Sequence, residues 1–224
     1  MRTDEIAKLL MPFLKAPLSA PQLQLVRDYL DLLLRWNERI NLTAVRRPEE
    51  IITRHYGESF FLARHLFGPE GSRRVADLGS GAGFPGVPIA IYAPHARVNL
   101  IESNNKKATF LRELTRALKL PNLSVFAGRA EDLQRDPAAG VPDVVTLRAV
   151  EKFEAAVPVA ASLLRAPAQH HATDRRLALL IGAGQEQVAR KLAKGFSWAA
   201  PIPTPGSAHR ILLVGNLIRQ ESDH

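Results

Sequence analysis

Between residues 26 and 40, apolar side chains recur at intervals of three and four: Val26, Tyr29, Leu30, Leu33, Trp36 and Ile40. That period lays them along one face of a helix. Ser19 stands where a hydroxyl can accept a first-turn N–H, and Pro21 falls in the turn that has no use for a donor. A second helix is predicted from Pro48 to about Leu66, carrying Ile51, Ile52, Phe60, Phe61 and Leu62. Gly68, Pro69, Gly71 and Ser72 break that pattern. The first 68 residues therefore read as a helical region. From residue 73 the period changes. Short apolar runs at 75–78, 98–102, 123–127, 144–147, 177–181 and 211–215 alternate with helical patterns at 85–92, 106–120, 153–164 and 185–193. Alternation of this kind predicts an α/β domain over residues 69–220, with a mostly parallel, doubly wound sheet covered on both faces. The stretch 165–176 reads as a polar loop and the final QESDH as a frayed end.

Composition narrows this only slightly. An apolar fraction of 46% and a charged fraction of 23% are ordinary globular values and exclude a disordered chain. The longest apolar runs are far below the roughly 20 residues of a membrane span. The opening MRTDEIAKLLMPFLK lacks a signal peptide's apolar core, so a cytoplasmic protein is expected. There is no cysteine, which excludes disulfides and thiolate chemistry. His170 and His171 are adjacent in the polar loop and H-E-x-x-H is absent, so no metal site is expected. The net charge of +8 fits a polyanionic partner, and fits plain solubility equally well.

Chemistry concentrates in Asp77-Leu78-Gly79-Ser80-Gly81-Ala82-Gly83-Phe84-Pro85-Gly86. A buried strand runs into alternating glycines and then a helix, so backbone can meet a ligand without an intervening Cβ. Glu102, at the end of the next strand, can accept both hydroxyls of a ribose. Two ligand classes fit. Residues 81–86 match G-x-G-x-x-G, with Glu102 about 20 residues on, as a dinucleotide site wants. Pro85, however, offers no N–H to a pyrophosphate, and no Tyr-x-x-x-Lys pair accompanies the loop. Asp77 favours the second class, S-adenosylmethionine, whose sulfonium and ammonium suit a nearby carboxylate that would repel a phosphate.

The order and spacing of several segments resemble the RsmG (GidB) methyltransferases, from about Tyr29 to Gln187, with a weaker echo near Arg210. The segments are WNERINLTAVR at 36–46, Arg54-His55 through Glu58-Ser59, DLGSGAGFPGVP at 77–88, ESNNKK at 102–107 through Phe110-Leu111, GRAE at 128–131, and Arg148-Ala149. The resemblance implies a Rossmann-like fold and methyl transfer from S-adenosylmethionine to N7 of a guanine in bacterial 16S ribosomal RNA. It implies cofactor contacts at Gly79, Gly81 and Phe84 in the loop, at Glu102, Ser103 and Asn104 after the second strand, at Ala130 and Glu131 beside the adenine, and at Arg148 on the active-site rim. Arg46, Arg47 and Arg148 are expected at the RNA. Lys106, Lys107, Arg112, Arg116 and Lys119 are expected on a basic rim. The partner expected is 16S ribosomal RNA or the small subunit, bound by a monomer, with no membrane and no protein partner implied. Guanine N7 carries no proton, so no catalytic base is assigned.

Each assignment has a plainer alternative. Phe84 can be a core aromatic, Glu131 a helix-start residue, Arg148 a surface partner of Glu151, and His55 with Glu58 a helix-surface pair. The sequence also departs from the family. Ile181-Gly182 stands where Lys-Gly is usual, and Arg175, Arg176 or Arg210 are the candidates to replace that charge. A methyltransferase acting on a small molecule or protein, and an RNA-binding assembly factor with a vestigial pocket, stay open. A nicotinamide dehydrogenase is the remotest reading.

Overall fold

The computed structural model describes residues 1–68, 73–133, 135, 140–150, 152–165 and 174–218. The break at 69–72, most of the loop at 165–176, with His170 and His171, Glu151 and the end of the chain lie outside them. Eight strands share one sheet: β1 Arg74–Leu78, β2 Arg97–Glu102, β3 Leu123–Ala127, β4 Val144–Arg148, β5 Arg176–Gly182, β6 Phe196–Trp198, β7 Ile202–Pro203 and β8 Arg210–Leu217. The order is β3-β2-β1-β4-β5-β8-β6, with β7 also on β8. β1 to β5 run parallel, and β8 returns antiparallel to β5. The order reverses at β1, so the crevice beyond the carboxyl ends of β1 and β4 is where such a sheet takes its ligand.

The helices are α1 Thr3–Leu10, α2 Ala20–Asn37, α3 Pro48–Ile51, α4 Glu58–Leu66, α5 Gly86–Tyr92, α6 Asn105–Leu118, α7 Ala130–Leu133, α8 Phe153–Arg165 and α9 Glu186–Leu192. Ser19 caps α2 in a reciprocal pair with Gln22. Successive strand residues point to opposite faces. Val75, Leu100, Val144 and Ala178 join a core with α1, α2, α4, α5 and α6, while Ala76, Ile101, Val145 and Leu179 join a second core with α8 and α9. The helices of the first 68 residues thus share one apolar cluster with the sheet. Burial on both faces explains why these strands read as continuous apolar runs.

Two differences from the sequence reading have physical causes. β6 and β7 have three and two residues, too few to show a period. The helix expected from Pro48 to Leu66 is present but is π-helical over Ile52–Gly57. Gly57 lies under Phe13, where an added Cβ would come within 2.7 Å of the ring. The wider turn re-aims Arg54, His55 and Glu58, and inserts of this kind often mark functional sites.

Candidate active site

The glycine loop needs its glycines. Gly79, Gly81 and Gly83 have φ of +70°, +56° and +94°, in the left-handed region that side chains disfavour. A Cβ on Gly83 would meet the Tyr29 hydroxyl at 2.7 Å and Val87 at 2.9 Å. Tyr29 itself donates to the Ala82 carbonyl. Helix α2 is therefore clamped to the loop.

Most loop N–H groups are already engaged. Gly79 and Ser80 donate to Ile101 O at 2.9 and 3.1 Å, and Gly83 and Phe84 to Ser80 O at 2.7 and 3.2 Å. Gly81 donates to Glu102 Oε2 at 2.9 Å and Gly86 to Asp77 Oδ2 at 3.0 Å. Pro85 has no N–H. A pyrophosphate is held by several free loop and helix-start N–H groups, and apart from Ala82 the non-proline residues of 79–86 have given theirs to protein acceptors. The dinucleotide alternative loses its physical basis here.

Asp77 does not face the crevice as the electrostatic reading expects. It is fully buried, and Thr146 Oγ1 donates to its Oδ1 at 2.8 Å while Gly86 holds Oδ2. Burial raises its pKa to about 6 against the opposing pull of those hydrogen bonds. The carboxylate ties the start of α5 to β1 and β4. Its role is to shape the loop.

Glu102 does line the crevice. Its second oxygen, Oε1, accepts Asn104 N–H at 2.8 Å, so each oxygen carries one backbone bond and keeps a further lone pair. Asn104 caps α6 with its side-chain oxygen, at 3.0 Å from Lys106 N and 3.1 Å from Lys107 N. Two cavities meet here. One of about 560 Å³ is walled by Thr43, His55, Gly81, Phe84, Glu102 and Arg148 among others. A second of about 260 Å³ includes Ala130 and Glu131. Gly79, Ser103 and Val150 line both. All nine residues expected at the cofactor, Gly79, Gly81, Phe84, Glu102, Ser103, Asn104, Ala130, Glu131 and Arg148, are thereby brought to one cleft. A larger depression of about 710 Å³ lies at the opposite, amino-terminal ends of β1 to β3, away from the ligand side of such a sheet.

The far wall of the larger cavity is a polar cluster. Arg148 Nη2 lies 3.0 Å from Arg54 O, 2.8 Å from His55 Nδ1 and 3.2 Å from Glu58 Oε2. Arg210 Nε reaches Glu58 at 3.0 Å. Thr43 Oγ1 is 2.7 Å from His55 Nε2. Burial, assisted by Arg148, Arg54 and Arg210, lowers the His55 pKa to about 3, so the ring is neutral. Burial also pulls the Arg148 pKa down, while Glu58 opposes it. Phe84 is 5% exposed and stacks with Tyr29 at 5.2 Å between ring centroids. It is a core aromatic and a cavity wall at once. Ala149, next to Arg148, has φ +49°, a strained conformation at the cavity edge.

His55 and Glu58 are buried and are no helix-surface pair. Arg148, expected on the active-site rim at the cofactor and the RNA, does line the cleft, but it is not an exposed side chain. Its side chain is 9% exposed, and its Nη2 faces protein acceptors. Arg46 and Arg47 are exposed, and Arg46 Nη1 donates to Asn37 O at 3.1 Å, bracing the loop before α3. Of the three candidate replacements for the missing lysine, only Arg210 is at the site, paired in register with Gly182. Arg176 pairs with Asp174 at the other end of β5, and Arg175 donates to Leu164 O. Sequence reading does not single out Thr43, Arg210's bond to Glu58, or Tyr29. The N-L-T of the 36–46 segment is the one available signal for Thr43.

Comparison with known proteins concerns the family and the fold. A family model described as GidB, rRNA small subunit methyltransferase G, matches residues 22–172. The chain is 45% identical over 152 residues to "Ribosomal RNA small subunit methyltransferase G" of Xanthomonas euvesicatoria pv. vesicatoria, covering 68% of this chain and 66% of that protein. It is 47% identical over the same shares to its namesake in Stenotrophomonas maltophilia. The match thus spans just under two thirds of these relatives' own length. Among solved structures, a mutant of MtNAS in complex with S-adenosylmethionine superposes with a TM-score of 0.57 at 15% identity, over 87% of this chain and 75% of that one. A predicted O-methyltransferase, Atu636 from Agrobacterium tumefaciens, does so with a TM-score of 0.51 at 23% identity, over 69% and 78%. At such identities the likeness is one of fold, a Rossmann-like sheet. With two thirds of its length matched by one model and curated relatives at this identity, the chain belongs to the GidB family, rRNA small subunit methyltransferase G.

Proposed function

We propose that this protein transfers a methyl group from S-adenosylmethionine to N7 of a guanine in 16S ribosomal RNA, acting in the cytoplasm as a monomer on the RNA or the small subunit. The observation that carries the reading is the glycine loop. Its N–H groups, Ala82 apart, are closed on protein acceptors, yet it walls a cleft with Glu102, Ser103 and Asn104. Such a cleft suits a nucleoside without phosphates. Glu102 would accept the ribose hydroxyls with its remaining lone pairs, Ala130 and Glu131 would border the adenine, and Gly79, Gly81 and Phe84 would line the path of the methyl. When bound, the cofactor supplies a methyl on a cationic sulfur, which departs neutral as the N7–methyl bond forms.

Guanine N7 offers an in-plane lone pair, so no residue has to remove a proton. His55 agrees with this, because both of its ring nitrogens are already paired with Arg148 and Thr43. The chain's contribution is positioning, with N7 held at about 3–3.5 Å and aligned. In duplex RNA the N7 edge lies in a groove too narrow for side chains, so the target guanine is unpaired or splayed out. Arg46, Arg47 and the exposed Arg112, Arg116 and Lys119 of α6 and its end would meet phosphates around it.

Calorimetric titration with S-adenosylmethionine should show one site per chain. Mass mapping of 16S RNA should show one methylated guanine that disappears when this gene is deleted. An unchanged methylation map would refute the RNA assignment, and absent cofactor binding would refute the whole reading.

A further inference from the structure

We propose that Thr43 reads the target base, its hydroxyl donating a hydrogen bond to O6 of the guanine that is methylated. The inference rests on the reading above and adds to it the residue that selects guanine. Arg148 can only donate, so His55 Nδ1, 2.8 Å from its Nη2, must accept. A neutral imidazole with a bare Nδ1 carries its proton on Nε2. That proton points at Thr43 Oγ1, 2.7 Å away. Val45 N–H donates to the same oxygen at 3.1 Å. Both lone pairs of the Thr43 hydroxyl are therefore occupied, and its own proton is the one capability it has left. Among the described residues that proton has no protein acceptor.

The hydroxyl is also fixed in place. Asn37 accepts the N–H groups of Leu42 at 2.9 Å and Thr43 at 3.0 Å, and donates to Thr43 O at 3.1 Å. Thr43 lines the same cavity as Gly81, Phe84 and Arg148. Guanine presents two adjacent acceptors on this edge, N7 and O6, whereas adenine presents N7 beside an amine donor. A donor-only hydroxyl pairs with O6 and opposes the amine. Arg148 and His55 are then positioning residues, because they fix which way the Thr43 hydroxyl acts. Methylation makes the base cationic and O6 a poorer acceptor, so this bond favours bound substrate over the transition state. Its loss should raise KM and leave kcat unchanged or slightly higher.

The test uses the full chain and an RNA fragment carrying the mapped guanine, or 2-aminopurine in its place, which keeps N7 and lacks O6. With the unaltered protein the replacement should lower kcat/KM about tenfold, chiefly through KM. Thr43→Val should lose about the same factor on the guanine RNA and no longer distinguish the two RNAs. Thr43→Ser should restore the distinction. Equal rates of the unaltered protein on both RNAs would overturn the proposal without any variant having to fold. So would a Thr43→Val protein that still discriminates, or one that loses equally on both. Absence of methyl transfer to any RNA would instead strike the reading beneath it.

Discussion

The two halves of the cleft are built in different ways. The half assigned to the methyl donor comes from three short contiguous stretches, residues 77–86, 102–104 and 130–131, and its loop is held by backbone hydrogen bonds and positive-φ glycines. The half assigned to the target base gathers Thr43, His55, Glu58, Arg148 and Arg210 from four separate segments, held by a buried side-chain network. A backbone-built surface keeps its shape through most side-chain changes. A charge network buried in the same protein depends on every member, since an unpaired buried ion is costly.

That contrast can be broken most directly at Glu58. Glu58→Ala leaves the buried Arg148 and the partly buried Arg210 without their carboxylate, and should cost about 3–5 kcal/mol in urea denaturation. The folded fraction should still bind S-adenosylmethionine normally. A stability loss below about 1 kcal/mol would show that the network is not what holds this half together. Glu102→Ala attacks the other half. Gly81 and Asn104 lose a charged acceptor for their N–H groups, each worth about 1.5–3 kcal/mol. Donor affinity should fall at least about a hundredfold by calorimetry, with RNA affinity little changed.

Acid separates the halves by titration. The folded His55 resists protonation down to about pH 3, from an ordinary 6.5. Between those values the unfolded chain binds the extra proton, so stability from this group is complete above about 6.5 and is lost as the pH falls. Asp77 works in the opposite sense. Its raised pKa of about 6 makes the folded chain the better proton binder below that pH. Removing His55 as His55→Asn should therefore flatten or reverse the acid slope of stability, and Asp77→Asn should steepen it. Identical slopes in all three proteins would remove both assignments. The smallest effect is expected at the rim. Arg47→Ala should reduce the log–log salt dependence of RNA binding by ~0.7. Arg46→Ala should change the slope by about the same amount, and it also loses its brace to the Asn37 carbonyl.

Legibility follows the same division. The six long strands, the Ser19 cap and the glycine loop all have local causes: a period, a hydroxyl before a helix, a left-handed turn. They are readable from neighbouring residues. Glu102 is found because strand and loop lengths fix it beside the loop. Asp77 misleads because its sequence position gives the end of the strand but not the direction of its carboxylate. The packing of β4 against β1 sets Thr146 beside it and turns it inward. Arg148 is expected at the cofactor and the RNA from the resemblance and its strand-end position. Only the fold shows that the π turn of residues 52–57 and the start of α4 present three acceptors to one of its nitrogens.

The sequence alone therefore determined the six long strands and the loop, which depend on periodicity and on residues within one turn of each other, and through the order of its motifs it showed the resemblance to the family. The tertiary structure alone decided which carboxylates face the cleft, the burial of His55 between Arg148 and Thr43, and the contacts around the Thr43 hydroxyl. Each of these depends on at least one partner many residues away. Chain spacing does not encode where a side chain finds its hydrogen-bond partner once water is excluded.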